Sequence, residues 1–244
     1  MSTSIKFICY KWGKKYPSIY VNRLYNMVKA HYNGSFSFHC ITDDISNIRN
    51  EIITHDINKI ASFRKDMGSI FTIEKLSSFK SGFLDGGRFA LLDLDIIIHG
   101  NLTEYLNECF TEFRLIKNYW QPDYADITHY GGNYCSINSS FVTWKDDQAT
   151  HIYDFYMKNL NKISRVYNSF DRSLYYLQDG QYAFHPKGIV YSYNGGAHYP
   201  DDRSVGLYRD SYKICIFNNS HGYGMDINNT KNWALSMWKK YDTL

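Results

Sequence analysis

The stretch GRFALLDLDIII, residues 87–98, decides how this chain is read. Phe89, Ala90, Leu91, Leu92, Leu94, Ile96, Ile97 and Ile98 form the kind of apolar run that a strand buried on both faces shows. Asp93 and Asp95 interrupt it. A bare carboxylate in apolar surroundings is costly unless something compensates it. On a regular strand, residues i and i+2 point to the same side, so the two carboxylates are expected to project together from the strand's carboxyl end. A divalent cation that also takes oxygens from a diphosphate would compensate the pair. For an Asp-x-Asp tripeptide taken alone, helix caps or ion-pair partners at a strand end are the other reading.

Upstream, IKFICY (5–10) predicts a strand. Pro17 opens a helical pattern that puts Val21, Leu24, Tyr25, Val28 and Tyr32 on one face, and Asn33-Gly34 stops it. SFSFHCIT (35–42) alternates as a second strand and ends at Asp43-Asp44. A β-α-β opening signals a parallel sheet whose ligand sites lie at the strand carboxyl ends. Residues 55–68 carry no clear period and are expected to form a long loop. IFTIEKLSSFK (70–80) predicts a helix that leads, through Gly82, Gly86 and Gly87, into the central stretch.

Downstream, NLTEYL is a short helix capped by Asn101, CSINSSFVTW (135–144) a strand, and 146–163 a helix. From Ser164 the pattern is turn-rich, with YNGGAHYPDD (193–202) as a plain loop, YKICIF (212–217) as a late strand and 233–238 as a packed tail. Without repeats or a linker, the simplest organisation is one α/β domain over residues 1–244, a mostly parallel twisted sheet flanked by helices.

With 244 residues, 44% of them hydrophobic and 21% charged, the chain can bury one large core. A net charge of +3 with no basic run longer than WKK does not suggest nucleic-acid binding. The 23 tyrosines suit a sugar-stacking surface as well as an ordinary tyrosine-rich core. Five scattered cysteines without a CxxC pair read as buried free thiols. The first residues lack the apolar core of a signal peptide, and no stretch approaches membrane-spanning length. A soluble protein of a reducing, cytoplasmic compartment is the expectation.

The apolar strand before Asp93 and the segment IIIHGNLTEYL after Asp95 resemble the metal-binding Asp-x-Asp region of GT-A-fold glycosyltransferases. The opening CYKWGKKYPSIYVNRLYNMVKAHY with FSFHCITDD resembles bacterial and large-DNA-virus sugar transferases of that fold. The similarity continues in order through IEKLSSFKSGF, INSSFVTW, IVYSYN and ICIFNNSHG. It implies a nucleotide-sugar-binding half (1–106), an acceptor-binding half (107–244), and transfer from a UDP-sugar, glucose first, to a hydroxyl of a glycan or other acceptor. It implies Mn²⁺, with Mg²⁺ as the other choice, held by Asp95, Asp93 and His221, an imidazole beside carboxylates favouring Mn²⁺.

The same resemblance places Tyr10, Lys11, Trp12 and Tyr16 against the base and phosphates, where a π-face and a cation make physical sense. Asp43 or Asp44 would contact the base or ribose, or cap the next segment. Lys75 falls near the donor's phosphates or sugar, and Asp93 near the ribose or the metal. Asn138 and Ser139 line the sugar pocket, with Ser140 where glycine is usual. Asp171 is a general base, a donor-orienting group or a helix cap, and Asp179 in QDGQYAF is the second acidic candidate. Two other classes stay open. A nucleotidyltransferase would want a Gly-rich basic loop after the first strand, where YKWGKKY has only Gly13. A non-catalytic nucleotide- or sugar-binding module would have no need for Asp93, Asp95 and His221 together.

Overall fold

The computed structural model describes residues 4–63, 72–122, 134–218, 226–230 and 232–242. Its strands are β1 (Ile5–Lys11), β2 (Phe36–Thr42), β3 (Ile53–Asp56), β4 (Arg88–Leu92), β5 (Ile96–Ile98), β6 (Arg114–Lys117), β7 (Ile137–Lys145), β8 (Ala183–Phe184), β9 (Val190–Ser192) and β10 (Ile214–Ile216). Its α-helices are α1 (Ser18–His31), α2 (Ile57–Ile60), α3 (Thr103–Glu108), α4 (Thr150–Val166), α5 (Phe170–Leu177) and α6 (Trp233–Lys240). Seven strands form one sheet in the order β3-β2-β1-β4-β7-β6-β8, parallel except where β7 meets β4 and β6. A small second sheet has the order β5-β10-β9. The α/β expectation is met.

Apolar layers cover both faces of the large sheet. Phe7, Cys9 and Leu92 pack with the apolar face of α1 and with the small sheet and α6. Ile8, Leu91 and Trp144 pack with residues 73–79, α4 and α5. The predicted α1 stripe of Val21, Leu24, Tyr25, Val28 and Tyr32 is buried as expected. Leu102, not Asn101, holds the N-cap position of α3; Asn101, one residue earlier, accepts from the Thr103 N–H at 2.8 Å. All five cysteines are free, and Cys9 and Cys40 are partners across the β1–β2 ladder. Among the described residues no helix is long and apolar enough to cross a membrane.

Several elements differ from the sequence reading. The run 87–98 is two strands: β4 belongs to the large sheet and β5 to the small one, with residues 93–95 linking them. Both strands are buried, so hydropathy does not mark the seam between them. Residues 53–60 hold β3 and α2 in place of a loop start; β3 is a four-residue edge strand with no apolar alternation. The segment Ile73–Phe79 is a 3-10 helix. The Ser77 hydroxyl donates back to the Glu74 carbonyl, the three-residue spacing of that geometry. The predicted 146–163 helix runs as α4, and the supposedly turn-rich region after it contains α5, too short to show a period.

Candidate active site

The carboxyl ends of β1, β2 and β4 lie at one edge of the large sheet, as their parallel registers require. Because β7 is antiparallel to β4, with Leu92 opposite Phe141, its first residues come to the same edge. A cleft of about 810 Å³ opens there, lined by Tyr10, Trp12, Tyr16, Lys75, Asp93, Asp95, Asn138 and Asp171 among others.

Asp93 and Asp95 reach this cleft by a different route from strand alternation. The Asp93 N–H donates to Ser140 O at 2.9 Å, extending the large sheet by one bond. The Asp95 carbonyl accepts from the Phe217 N–H at 3.2 Å, extending the small sheet by one bond. Leu94 between them is buried at 3% exposure and pins the crossing in the core. Each aspartate is thus fixed by a different sheet, and the seam between the sheets presents both to one cavity.

Their charges are met by separate partners. Lys75 Nζ lies 2.7 Å from Asp93 Oδ1, and the Ser140 hydroxyl donates to Asp93 Oδ2 at 2.8 Å. The Tyr16 hydroxyl bonds Asp95, and its own ionisation is pushed up by burial and then by the nearby Asp95 and Asp93 carboxylates. Lys75 is 3% exposed and also donates to Ser139 O at 3.1 Å and Ser139 Oγ at 3.0 Å. An ammonium has three protons, and three protein oxygens take them.

Asp171 belongs to the same network. Its Oδ1 accepts from the Ser139 N–H at 3.2 Å. Burial raises its pKa above the ordinary carboxylate value, against the pull of Lys75 and the Ser139 bond and with a push from Asp93. The helix-cap reading of Asp171 is corrected: Ser169 holds the N-cap position of α5, and the Asp171 carboxylate turns to β7.

Other expectations fall differently. Tyr10 lines the cleft, but its hydroxyl is tied to Ser78 Oγ at 2.7 Å. Lys11 is buried outside the cleft lining, with Nζ 3.8 Å from Asp44 Oδ2, since β alternation turns it away from the Tyr10 side. Asp43 accepts from the Gly13 N–H at 3.0 Å and braces the loop after β1 without lining the cleft. Ser139 also lies behind the lining, as the hinge between Lys75 and Asp171. Asp179 is exposed beyond the end of α5 and outside the cleft, which removes it from the reacting groups. His221 lies outside the described residues.

The sequence reading missed Lys14, Lys15, Asn168, Arg172 and Asn218, which also line the cleft. Lys14 and Lys15 sit in the WGKKY loop already singled out, so their signal was adjacency. Asn168 and Arg172 flank Asp171, at the start of a helix that only the resemblance, and not the periodicity, implied.

Sequence comparison finds no matching family model and no matching curated protein. Solved structures do match in fold. The galactosyltransferase LgtC, in complex with donor and acceptor sugar analogues, superposes with a TM-score of 0.62 at 13% identity, over 97% of this chain and 95% of that one. An active-site mutant of LgtC gives 0.64 at 11% identity, over 97% and 94%. The apo structure of the bifunctional glycosyltransferase WbbM gives 0.61 at 10% identity, over 100% of this chain and 50% of that one. The fold is of the GT-A type. At such identities the likeness is one of architecture, and the chemistry has to come from the cleft's own residues.

Proposed function

We propose that the chain is a metal-dependent glycosyltransferase that moves a sugar from a nucleoside-diphosphate donor to a hydroxyl of a carbohydrate or similar acceptor. One observation carries this reading: the seam between the two sheets delivers Asp93 and Asp95 to a cleft that also holds Tyr10, Trp12, Tyr16 and Asp171. Glycosyltransferase neighbours of the same fold support it. UDP-glucose is the first donor to test, on the resemblance alone.

The donor set suits a hard cation. Asp95 and Asp93 offer carboxylate oxygens, each with lone pairs beyond those its hydrogen bonds use. Among the described residues no group of three or more His, Cys, Asp or Glu side chains is arranged for a metal. The remaining ligands would be His221 and the donor's phosphates. When bound, Mn²⁺ would neutralise charge on the departing diphosphate.

The protein's own residues do the rest. Trp12 and Tyr16 offer ring faces to the base and ribose. Lys14 and Lys15, in the same loop, add positive charge where phosphates enter. Lys75 acts as a positioning residue: it fixes Asp93 directly and Asp171 through Ser139. Asp171 supplies the carboxylate beside the reacting sugar. There it draws the acceptor hydroxyl's proton and offsets the oxocarbenium-like charge of glycosyl transfer.

The test is release of nucleoside diphosphate from a panel of nucleotide sugars, with Mn²⁺ and in a chelator. Metal-dependent release from one donor class is the expected result. Release of pyrophosphate would point to nucleotidyl transfer, and release of neither, with any donor, would remove the enzyme reading.

A further inference from the structure

A second cavity of about 410 Å³ lies beside the first, and Asn218 lines both. Trp120, Gln121, Ser192, Asn194 and Arg203 contribute to its wall. The wall is a built one. After β9 the chain turns back on itself, the Gly195 N–H donating to Ser192 Oγ at 2.9 Å and Ser192 bridging to Gly196. A Cβ on Gly195 would stand 2.3 Å from Trp120 Cδ1, so only glycine lets the indole close against this turn. Asn194 Nδ2 donates to the Phe217 carbonyl at 2.6 Å, which fixes the orientation of its amide. Asn218 has φ +50°, and its Oδ1 is buried with no hydrogen-bond partner among the described residues. The amides of Gln121, Asn194 and Asn218 beside the Trp120 wall suit a polyhydroxylated ligand.

Arg203 is the one ionisable side chain among the described lining residues. A braced hairpin presents it. His198 and Asp202 exchange backbone bonds at 3.0 and 2.7 Å. Asp202 is taken by Arg209, whose Nε donates to Oδ2 at 2.7 Å while a second guanidinium nitrogen pairs with Oδ1. Gly196 packs so closely on this segment that a Cβ there would stand 2.7 Å from Arg203 Cα. The Arg203 guanidinium lies 5.4 Å over the Tyr199 ring, an aromatic and not an acidic neighbour. Its adjacent carboxylate, Asp202, is thus already committed to another arginine. A guanidinium held this way matches a carboxylate or phosphate by paired N–H donors.

We propose that this second cavity receives the acceptor and that Arg203 selects one carrying an anionic group, a carboxylate or phosphate borne by a carbohydrate. This rests on the transferase reading for the word acceptor, while the charge preference stands on the cavity itself. Asn218, shared by both cavities, places the acceptor's polar end beside the donor cleft.

The test is direct binding by NMR to the full chain, with methyl glucuronide, glucose 6-phosphate and methyl glucoside as probes, in the presence and absence of UDP and Mn²⁺. At least one anionic probe is expected to bind roughly tenfold or more tightly than methyl glucoside, the scale of one charge-assisted contact. The two anionic arms tell carboxylate from phosphate. Arg203→Ala should abolish the preference and Arg203→Lys should keep part of it. Equal affinities, or a preference that survives Arg203→Ala, would overturn the proposal. So would displacement of the anionic probe by UDP, which would put the anion in the first cavity beside Lys14 and Lys15. Failure of UDP itself to bind would fault the transferase reading and leave the charge preference standing.

Discussion

The floor and the entrance wall of the cleft are built on opposite principles. At the floor, Lys75, Asp93, Asp171, Ser139 and Ser140 are linked by hydrogen bonds that use all three ammonium protons, and the lysine is 3% exposed. At the wall, Asp43 braces the loop after β1 through the Gly13 N–H; Gly13 has φ +62°, and Gly13, Lys14 and Lys15 are exposed. Charge that must stand in a fixed place before the reaction is preorganised, since reorienting it during the reaction is costly. In the proposed reading, the groups that admit and release a nucleotide stand on this exposed segment. In the proposed transferase, this difference puts catalysis at the floor and affinity at the wall.

The largest effect should come from the floor. Asp171→Asn keeps the shape and removes the charge, and transfer should fall by about two to four powers of ten while donor affinity changes little. Steady-state kinetics with donor titrations separate the two. Near wild-type transfer would return Asp171 to a merely structural role on Ser139.

Next is Lys75→Ala, which leaves Asp93 and Asp171 facing each other without their cation. Breaking a buried pair costs about 3 kcal/mol at the low end of its range, the end that applies because Asp93 is 25% exposed. Chemical denaturation measures it. If Lys75 instead serves the donor's phosphates, stability will hold and the donor's dissociation constant will rise, more at low salt than at high.

The smallest effect belongs to the wall. Trp12→Ala should weaken donor binding by about tenfold, in the range of one lost base-stacking contact, and leave turnover of bound donor nearly unchanged. A large fall in kcat at saturating donor would mean that the wall takes part in catalysis, and the division between the two regions would fail.

The same division separates what the sequence made legible from what it did not. The β1-α1-β2 opening and the aromatic residues of its loop, Trp12 and Tyr16, were readable because strand, helix and loop follow one another locally. The cation was read at Lys11 and not at Lys14 and Lys15. The floor comes from segments far apart. Lys75 meets Asp93 across 18 positions and Ser139 across 64, and neither spacing leaves a periodic trace. The Asp93–Asp95 pair was correctly placed at a cleft, but through a regular strand that does not exist there. A strand entering one buried sheet and leaving in another has the same hydropathy as one long buried strand. The second cavity needs the Gly195 approach to Trp120, a contact across 75 positions that no motif announces.

In the proposed reading, Asp93 and Asp95 hold a cation which in turn holds the donor's diphosphate. Calorimetric titration of UDP-glucose into the wild type and Asp95→Ala, with and without Mn²⁺, tests it most directly. Donor and metal should each tighten the other's binding by at least about fivefold in the wild type, and the coupling should vanish in a folded Asp95→Ala. Tight donor binding indifferent to metal, or coupling that survives Asp95→Ala, would contradict the account.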